Sequence, residues 1–456
     1  MVFSRRDMLA MGLFGTVAAV LPAQAQSRKA PVGPLGHLGL DATGLGLRPG
    51  AAEDQSRQLQ HALKQATARG APLLLPPGRY RIGGVLLPDN ARIIGLPGET
   101  QLVTADGQAP LSARNIERAA LSGLDFDGLE IPTARRGGLV AAENVAEIAI
   151  SDCGFVKAGS VGLTLERCGG RVTGSRFRKM RDAALFALDS TGLSVEGNRI
   201  EDCGNNGIQI WRNQPGDDGS IVRGNHVARI RTDAGGSGQN GNGINIFRAG
   251  GVIVEGNQIR DCAMTFIRNN SGSGVQILGN QGRRCGEVGL YSEFAFEGAI
   301  MANNFIEDCA AGATMTNLDH GGRMAVFANN IIRNATRRPV PYSKEPIGGF
   351  GVHVEAEAAV TGNVIEDASD VGISLGWSWA MRNLAATGNV IRKTGIGVSV
   401  SLVSKERNAL IANNVIAEAR DGAVIGTEYG KPVTGDLTKA PDARAAGITI
   451  ANNAVR

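Results

Sequence analysis

The stretch Ile253-Val-Glu-Gly-Asn257-Gln-Ile259 returns, with few changes, as Leu193-Ser-Val-Glu-Gly-Asn198-Arg-Ile200, Val360-Thr-Gly-Asn363-Val-Ile365, Leu410-Ile-Ala-Asn-Asn414-Val-Ile416 and Ile448-Thr-Ile-Ala-Asn-Asn453-Ala-Val455. Its anchor asparagines, Asn198, Asn225, Asn257, Asn280, Asn304, Asn330, Asn363, Asn389, Asn414 and Asn453, are spaced by 27, 32, 23, 24, 26, 33, 26, 25 and 39 residues. The smallest unit is thus 23 residues, lengthened by insertions. A fixed period of this size is the mark of a stacked repeat architecture. Degenerate copies at Leu124-Asp-Phe126, Cys153-Gly-Phe155 and Ser175-Arg-Phe177 carry the pattern toward the N-terminus.

Between anchors a second phrase opens on glycine and then alternates: Gly162-Leu-Thr-Leu165, Gly207-Ile-Gln-Ile210, Gly243-Ile-Asn-Ile246, Gly351-Val-His-Val354, Gly372-Ile-Ser-Leu375 and Gly397-Val-Ser-Val400. Period two means strand. Short strands cornered by Gly and Asn, in units this small, suit a parallel solenoid of roughly a dozen coils in which each coil pairs with its neighbours. The asparagines read as structural corners, able to take the left-handed conformation and to hydrogen-bond to their own image one coil away. Composition agrees, because 64 Gly against 4 Tyr and 3 Trp describes frequent turns and few bulky aromatics. A net charge of +4 lacks the basic footprint of a nucleic-acid binder, so no nucleic-acid partner is expected.

The N-terminus reads Ser4-Arg5-Arg6-Asp7-Met8-Leu9, then an apolar run from Met8 to Leu21, then Ala23-Gln24-Ala25. This resembles a twin-arginine signal peptide over residues 1–25 with an A-x-A cleavage site after Ala25, which implies the twin-arginine translocase as partner during export. The apolar run is too short to span a bilayer, so no membrane span is expected after cleavage. Residues 26–50 read as a linker, and 51–456 as the solenoid. Within it, 51–70 carries Leu59, Ala62, Leu63 and Ala66 at helical spacing behind Asp54 or Ser56 as N-cap, a capping helix for the first coil. Residues 426–446 read as a capping insertion at the other end.

The cap followed by Leu75-Pro-Pro-Gly-Arg-Tyr80 resembles the start of pectate-lyase-like proteins, and the coils resemble the repeats of alginate C5-epimerases. Signal and repeat together resemble a family of twin-arginine-translocated β-helix-repeat proteins that has no assigned activity. The resemblance implies an all-β fold, a right-handed parallel β-helix with an N-terminal capping helix, and carbohydrate as the general class of ligand.

Aligned coils separate structural columns from candidate functional ones. Cys203, Cys262, Cys285 and Cys309 each follow an anchor by five residues, where other coils have Met180, Ile230, Ala335, Ala368 and Ala419, so this is a core column. No Cys/His cluster has metal spacing. Two residues after each Gly, an outward row reads Thr164, Gln209, Asn245, Thr265, Tyr291, Thr314, His353 and Ser374. Five residues after the Gly, Arg212, Arg248 and Arg268 fall in one column, beside Trp211, Phe247, Asn269 and Asn270. Stacked like charges repel unless neutralised. Either Asp217, Asp218 or Asp233 supplies the counter-charge, or the column forks onto the carboxylates of an acidic polysaccharide. In the second case Arg248, Arg268, Tyr291, His320 and His353 would be the catalytic set of a uronate lyase or C5-epimerase. Trp211, Arg212, Asn245, Asn269, Asn270, Glu293, Asp319, Glu355, Trp377 and Trp379 would bind the polymer. The rivals are a non-catalytic glycan-binding or envelope solenoid and a cofactor-binding redox protein whose cofactor is unknown. Insertions at 212–220, 231–242 and 336–350 should project as loops.

Overall fold

A computed structural model describes residues 39–456; the signal reading at Arg5, Arg6 and Ala25 lies outside them. Forty-two strands join in one continuous sheet wound into a right-handed parallel solenoid, three short strands to a coil. One coil runs through Ile253–Glu255, Gln258–Cys262 and Ile267–Asn270, and the next through Val275–Leu278, Gln281–Cys285 and Val288–Glu293. Each strand pairs in parallel with its counterpart one coil on.

The anchor asparagines form an unbroken ladder. Each amide from Asn198 to Asn414 donates to the Oδ1 of the next anchor at 2.9–3.0 Å. The same oxygen also accepts the previous anchor's backbone N–H, as Asn280 does from Asn257 at 2.9 Å. The second amide proton goes to a backbone carbonyl, Val222 in the case of Asn257. Losing one partner of such a buried set leaves the others unsatisfied at about 1–3 kcal/mol. The left-handed conformation, expected of the anchors, belongs instead to the residue before each one: Gly256 has φ 61° and Asn303 has φ 61°. Glycine or a first asparagine takes the strained corner, which frees the anchor to aim its amide along the axis.

Inside, two columns fit by volume. From Gly207 onward the glycine opening an alternating strand faces a branched residue of the column that runs through Val227, Ile259, Ile306 and Ile332. A Cβ on Gly243 would stand 2.6 Å from Ile259, and one on Gly289 2.5 Å from Ile306. One coil exchanges the two sizes. Phe266 occupies the glycine place, pairing between Gly243 and Gly289, while Gly282 occupies the isoleucine place. A Cβ on Gly282 would collide with the Phe266 ring. The cysteine column is core, with all six cysteines free and buried. Toward the N-terminus Phe126, Phe155 and Phe177 stack in the same interior, with centroids 5.1 and 4.6 Å apart.

The helix Ser56–Ala68 lies across the first coil with Leu59, Ala62, Leu63 and Ala66 buried. Part of the expected linker belongs to the fold: Leu40–Asp41 pairs with Leu73–Leu74, and Ala42 and Leu47 are buried. At the other end Lys431–Asp436 turns back antiparallel to Val415–Glu428 and closes one face, after which Ile448–Ala451 and Ala454–Val455 continue the other two. Among the described residues no helix is long and apolar enough to cross a membrane.

Gly282→Ile alone should overpack the interior and lower stability by about 1–3 kcal/mol. Phe266→Gly alone should leave a cavity and cost about 3–5 kcal/mol. The double substitution restores the ordinary column sizes and should recover most of the loss in urea-unfolding midpoint, whereas simple additivity would refute the exchange.

Candidate functional site

The exchange at Phe266 displaces the coil's outward residues from the expected alignment. Lacking a glycine, this coil invites counting from Ala263; the structure starts three residues later. Arg268 therefore stacks in the row Gln209, Asn245, Arg268, Tyr291, Thr314, His353, Ser374, and Thr265 does not. The arginine column does not exist. Two residues on, a second outward row reads Trp211, Phe247, Asn270, Glu293. Four coils at about 4.8 Å per step thus present two adjacent rows as one floor.

Above this floor is a cavity of about 500 Å³. Gln239 of the 231–242 insertion walls one side. Tyr342 walls another, carried by the antiparallel hairpin of Arg338–Val340 and Ser343–Ile347. Phe294 completes a lining that holds five aromatic side chains with Trp211, Phe247, Tyr291 and Tyr342. The Trp211 ring lies 5.5 Å from Phe247, and its Nε1 donates to Asn245 at 3.1 Å.

At the base Arg268 is bracketed by two glutamates. Its Nε and one terminal nitrogen donate to the two oxygens of Glu293 at 2.7 and 2.8 Å, and the other terminal nitrogen donates to Glu287 at 2.9 Å. Thr265 and the Tyr342 hydroxyl also donate to Glu287, at 2.8 and 2.5 Å, and Asn270 to Glu293 at 3.0 Å. The guanidinium lies 4.7 Å from the centre of the Tyr291 ring. Burial works against the charge on Arg268, yet the two carboxylates outweigh it and hold its pKa above the ordinary value. Burial, reinforced by the neighbouring carboxylates, raises the phenols of Tyr291 and Tyr342.

Sequence reasoning brought Trp211, Asn245, Arg268, Asn270, Tyr291 and Glu293 to this cavity and missed Glu287 and Tyr342. The remaining candidates lie elsewhere. Arg212 turns back under its own loop, 3.4 Å from the Ser190 carbonyl, and Arg248 donates to the Asn213 carbonyl at 2.7 Å. Asn269 points inward and ties the Gly272 turn at both ends. Asp319 and His320 stand in solvent, paired to one another at 3.1 Å. Glu355 accepts from the backbone of Asn317 and Leu318 at 2.6 and 2.9 Å, which fixes a turn. His353 and Trp377 line a separate cavity of about 510 Å³, and Trp379 is exposed outside it.

His353 and Glu355 approach to 3.9 Å, but burial drives both toward their neutral forms, lowering His353 to about 4 and raising Glu355. The folded His353 binds fewer protons than the unfolded chain between its ordinary 6.5 and about 4, so its contribution is present above that window and lost as pH falls through it. Thermal melts of His353→Gln should therefore lose less stability across this window than the parent; equal losses would contradict the assignment. Arg268→Leu leaves two buried carboxylates facing each other and should cost about 3–5 kcal/mol in urea unfolding. Arg248→Ala should change little, and equal effects of the two would contradict the register.

The family described as periplasmic copper-binding protein (NosD) matches residues 112–281, and that described as right handed beta helix region matches 214–391. No curated protein matches the chain in sequence. Among solved structures, a tailspike protein of E. coli bacteriophage HK620 in complex with pentasaccharide is 12% identical, with 94% of this chain and 81% of that one covered at TM-score 0.51. The catalytic unit of a GH87 α-1,3-glucanase from Streptomyces thermodiastaticus is 15% identical, with 94% and 70% covered at TM-score 0.48. At such identities the likeness is one of fold. Copper does not fit the residues present: among the described residues no group of three or more His, Cys, Asp or Glu side chains converges on a metal position. The stacked cysteines are core thiols whose pKa burial raises, to about 12 at Cys203, whereas a soft metal needs thiolates. Register, family matches and architecture agree that the chain is a right-handed β-helix repeat protein.

Proposed function

We propose that this is an exported saccharide-binding protein that seats a glycan in the cavity between Trp211 and Tyr342. The observation that carries the reading is the five-aromatic lining over a hydrogen-bonding floor, since sugar rings present an apolar face for stacking and a polar rim. The insertions that wall the cavity belong to loops that a solenoid accepts without loss of its core, the usual place for a binding function. The twin-arginine signal at Arg5 and Arg6, and the periplasmic description of the matching family, support delivery to the periplasm through the twin-arginine translocase.

Binding is favoured over lyase or epimerase chemistry. That chemistry needs a cation free to meet a uronate carboxylate, and every side-chain nitrogen of Arg268 already donates to a glutamate. Both carboxylates are ion-paired to that guanidinium, so neither is a free general base, although one oxygen of each keeps room for a further hydrogen bond.

Titration calorimetry of the mature protein against a panel of neutral, amino and uronate oligosaccharides tests this. At least one should bind, and Trp211→Ala should weaken it at least about tenfold, the equivalent of about 1.4 kcal/mol of lost stacking. Arg248→Ala should leave affinity unchanged. No binding across the panel, or binding indifferent to Trp211, would refute the proposal.

A further inference from the structure

We infer that the saccharide seated in this cavity carries a positive charge, as an amino sugar with a free ammonium group or a quaternary ammonium substituent. The inference rests on the saccharide reading and adds the sign of the ligand's charge.

The lining holds one cationic side chain, Arg268, and two anionic ones, Glu287 and Glu293, so its formal charge is 1 − 2 = −1. These groups are withdrawn from water: the Arg268 side chain is 7% exposed and each glutamate 4%. Among the described residues no second Lys or Arg lies within salt-bridge distance of either carboxylate. Burying a charge without a counter-charge is costly, and a cation entering the cavity relieves that cost. A uronate would increase it.

The carboxylates have acceptor capacity left for such a cation. The Glu293 oxygen that meets the terminal nitrogen of Arg268 accepts one hydrogen bond, and the Glu287 oxygen that meets Tyr342 accepts one. A carboxylate oxygen offers two lone-pair sites. The walls suit the same ligand, because aromatic faces attract ammonium groups, most strongly where water is excluded. These rings already do so within the chain: Arg136 lies 5.0 Å from the Trp211 centroid and Arg248 4.7 Å from that of Phe247, neither of them lining the cavity. An aromatic enclosure around a net negative base is complementary to a cation in both its walls and its floor.

The test compares a glucosamine tetrasaccharide, its fully N-acetylated counterpart and a galacturonate tetrasaccharide by calorimetry at about pH 6, below the amine's pKa. The free amine should bind at least tenfold tighter than the acetylated chain, and the uronate should not bind. Glu287→Gln and Glu293→Gln should each abolish the preference, with circular dichroism reporting that the variant is folded. A second readout needs no variant: affinity for the amine should fall as salt rises, while any affinity for the acetylated chain stays flat. Equal affinity for amine and acetamide, or preference for the uronate, would overturn the inference and leave saccharide binding standing. Silence from all three would count against both.

Discussion

One carboxamide hydrogen bond per coil fixes where each coil sits on the next. From Asn198 to Asn414 the anchor asparagines are buried, and each has its oxygen and both amide protons engaged, so a coil that slipped by a residue would leave several polar groups unsatisfied together. Everything else in the molecule inherits that register. It aligns the glycine column with the branched column, keeps cysteines inward, and stacks outward side chains from successive coils into rows.

The candidate binding face is a consequence of those rows where one coil departs from the rule. Phe266 and Gly282 exchange the usual sizes, and the coil they build carries Arg268 in the row of Asn245 and Tyr291. That placement puts the guanidinium beside Glu293 from the next coil and Glu287 from the corner before it. The insertions then raise walls around the charged base, with Tyr342 reaching back to a glutamate 55 residues earlier. A rigid repeat supplies the floor, and its loops supply the enclosure.

Much of this was legible in the sequence because the repeat writes its rules many times over. Ten anchor asparagines and a string of Gly-initiated alternations define corners, strands and inward faces, and the polar face from Trp211 to Glu355 stood out as what the repeat left unexplained, of which the stretch to Glu293 lines the cavity. The failures have physical causes. Phe266 hides a register because a large residue replaces the glycine that marks it, and the compensating Gly282 lies in a different strand. The column of Arg212, Arg248 and Arg268 followed from that slip. Glu287 and Tyr342 carry no periodic signal, since one sits at a corner and the other on an insertion. The left-handed corners were placed on the anchors, whereas Gly-Asn and Asn-Asn pairs assign strain to the first residue and hydrogen bonding to the second.

The central claim is the register at Arg268, and paired cysteine substitutions measure it directly. Phe247 and Asn270 are partners on adjacent strands, both outward, within disulfide reach. Arg248 and Arg268 are offset by three residues, roughly 10 Å along the strands, too far to bridge. Mild oxidation of the folded protein should therefore link Phe247→Cys to Asn270→Cys and leave Arg248→Cys and Arg268→Cys unlinked, with the six native cysteines shielded by burial. A disulfide in the second pair and none in the first would restore the arginine column and contradict the account of the site.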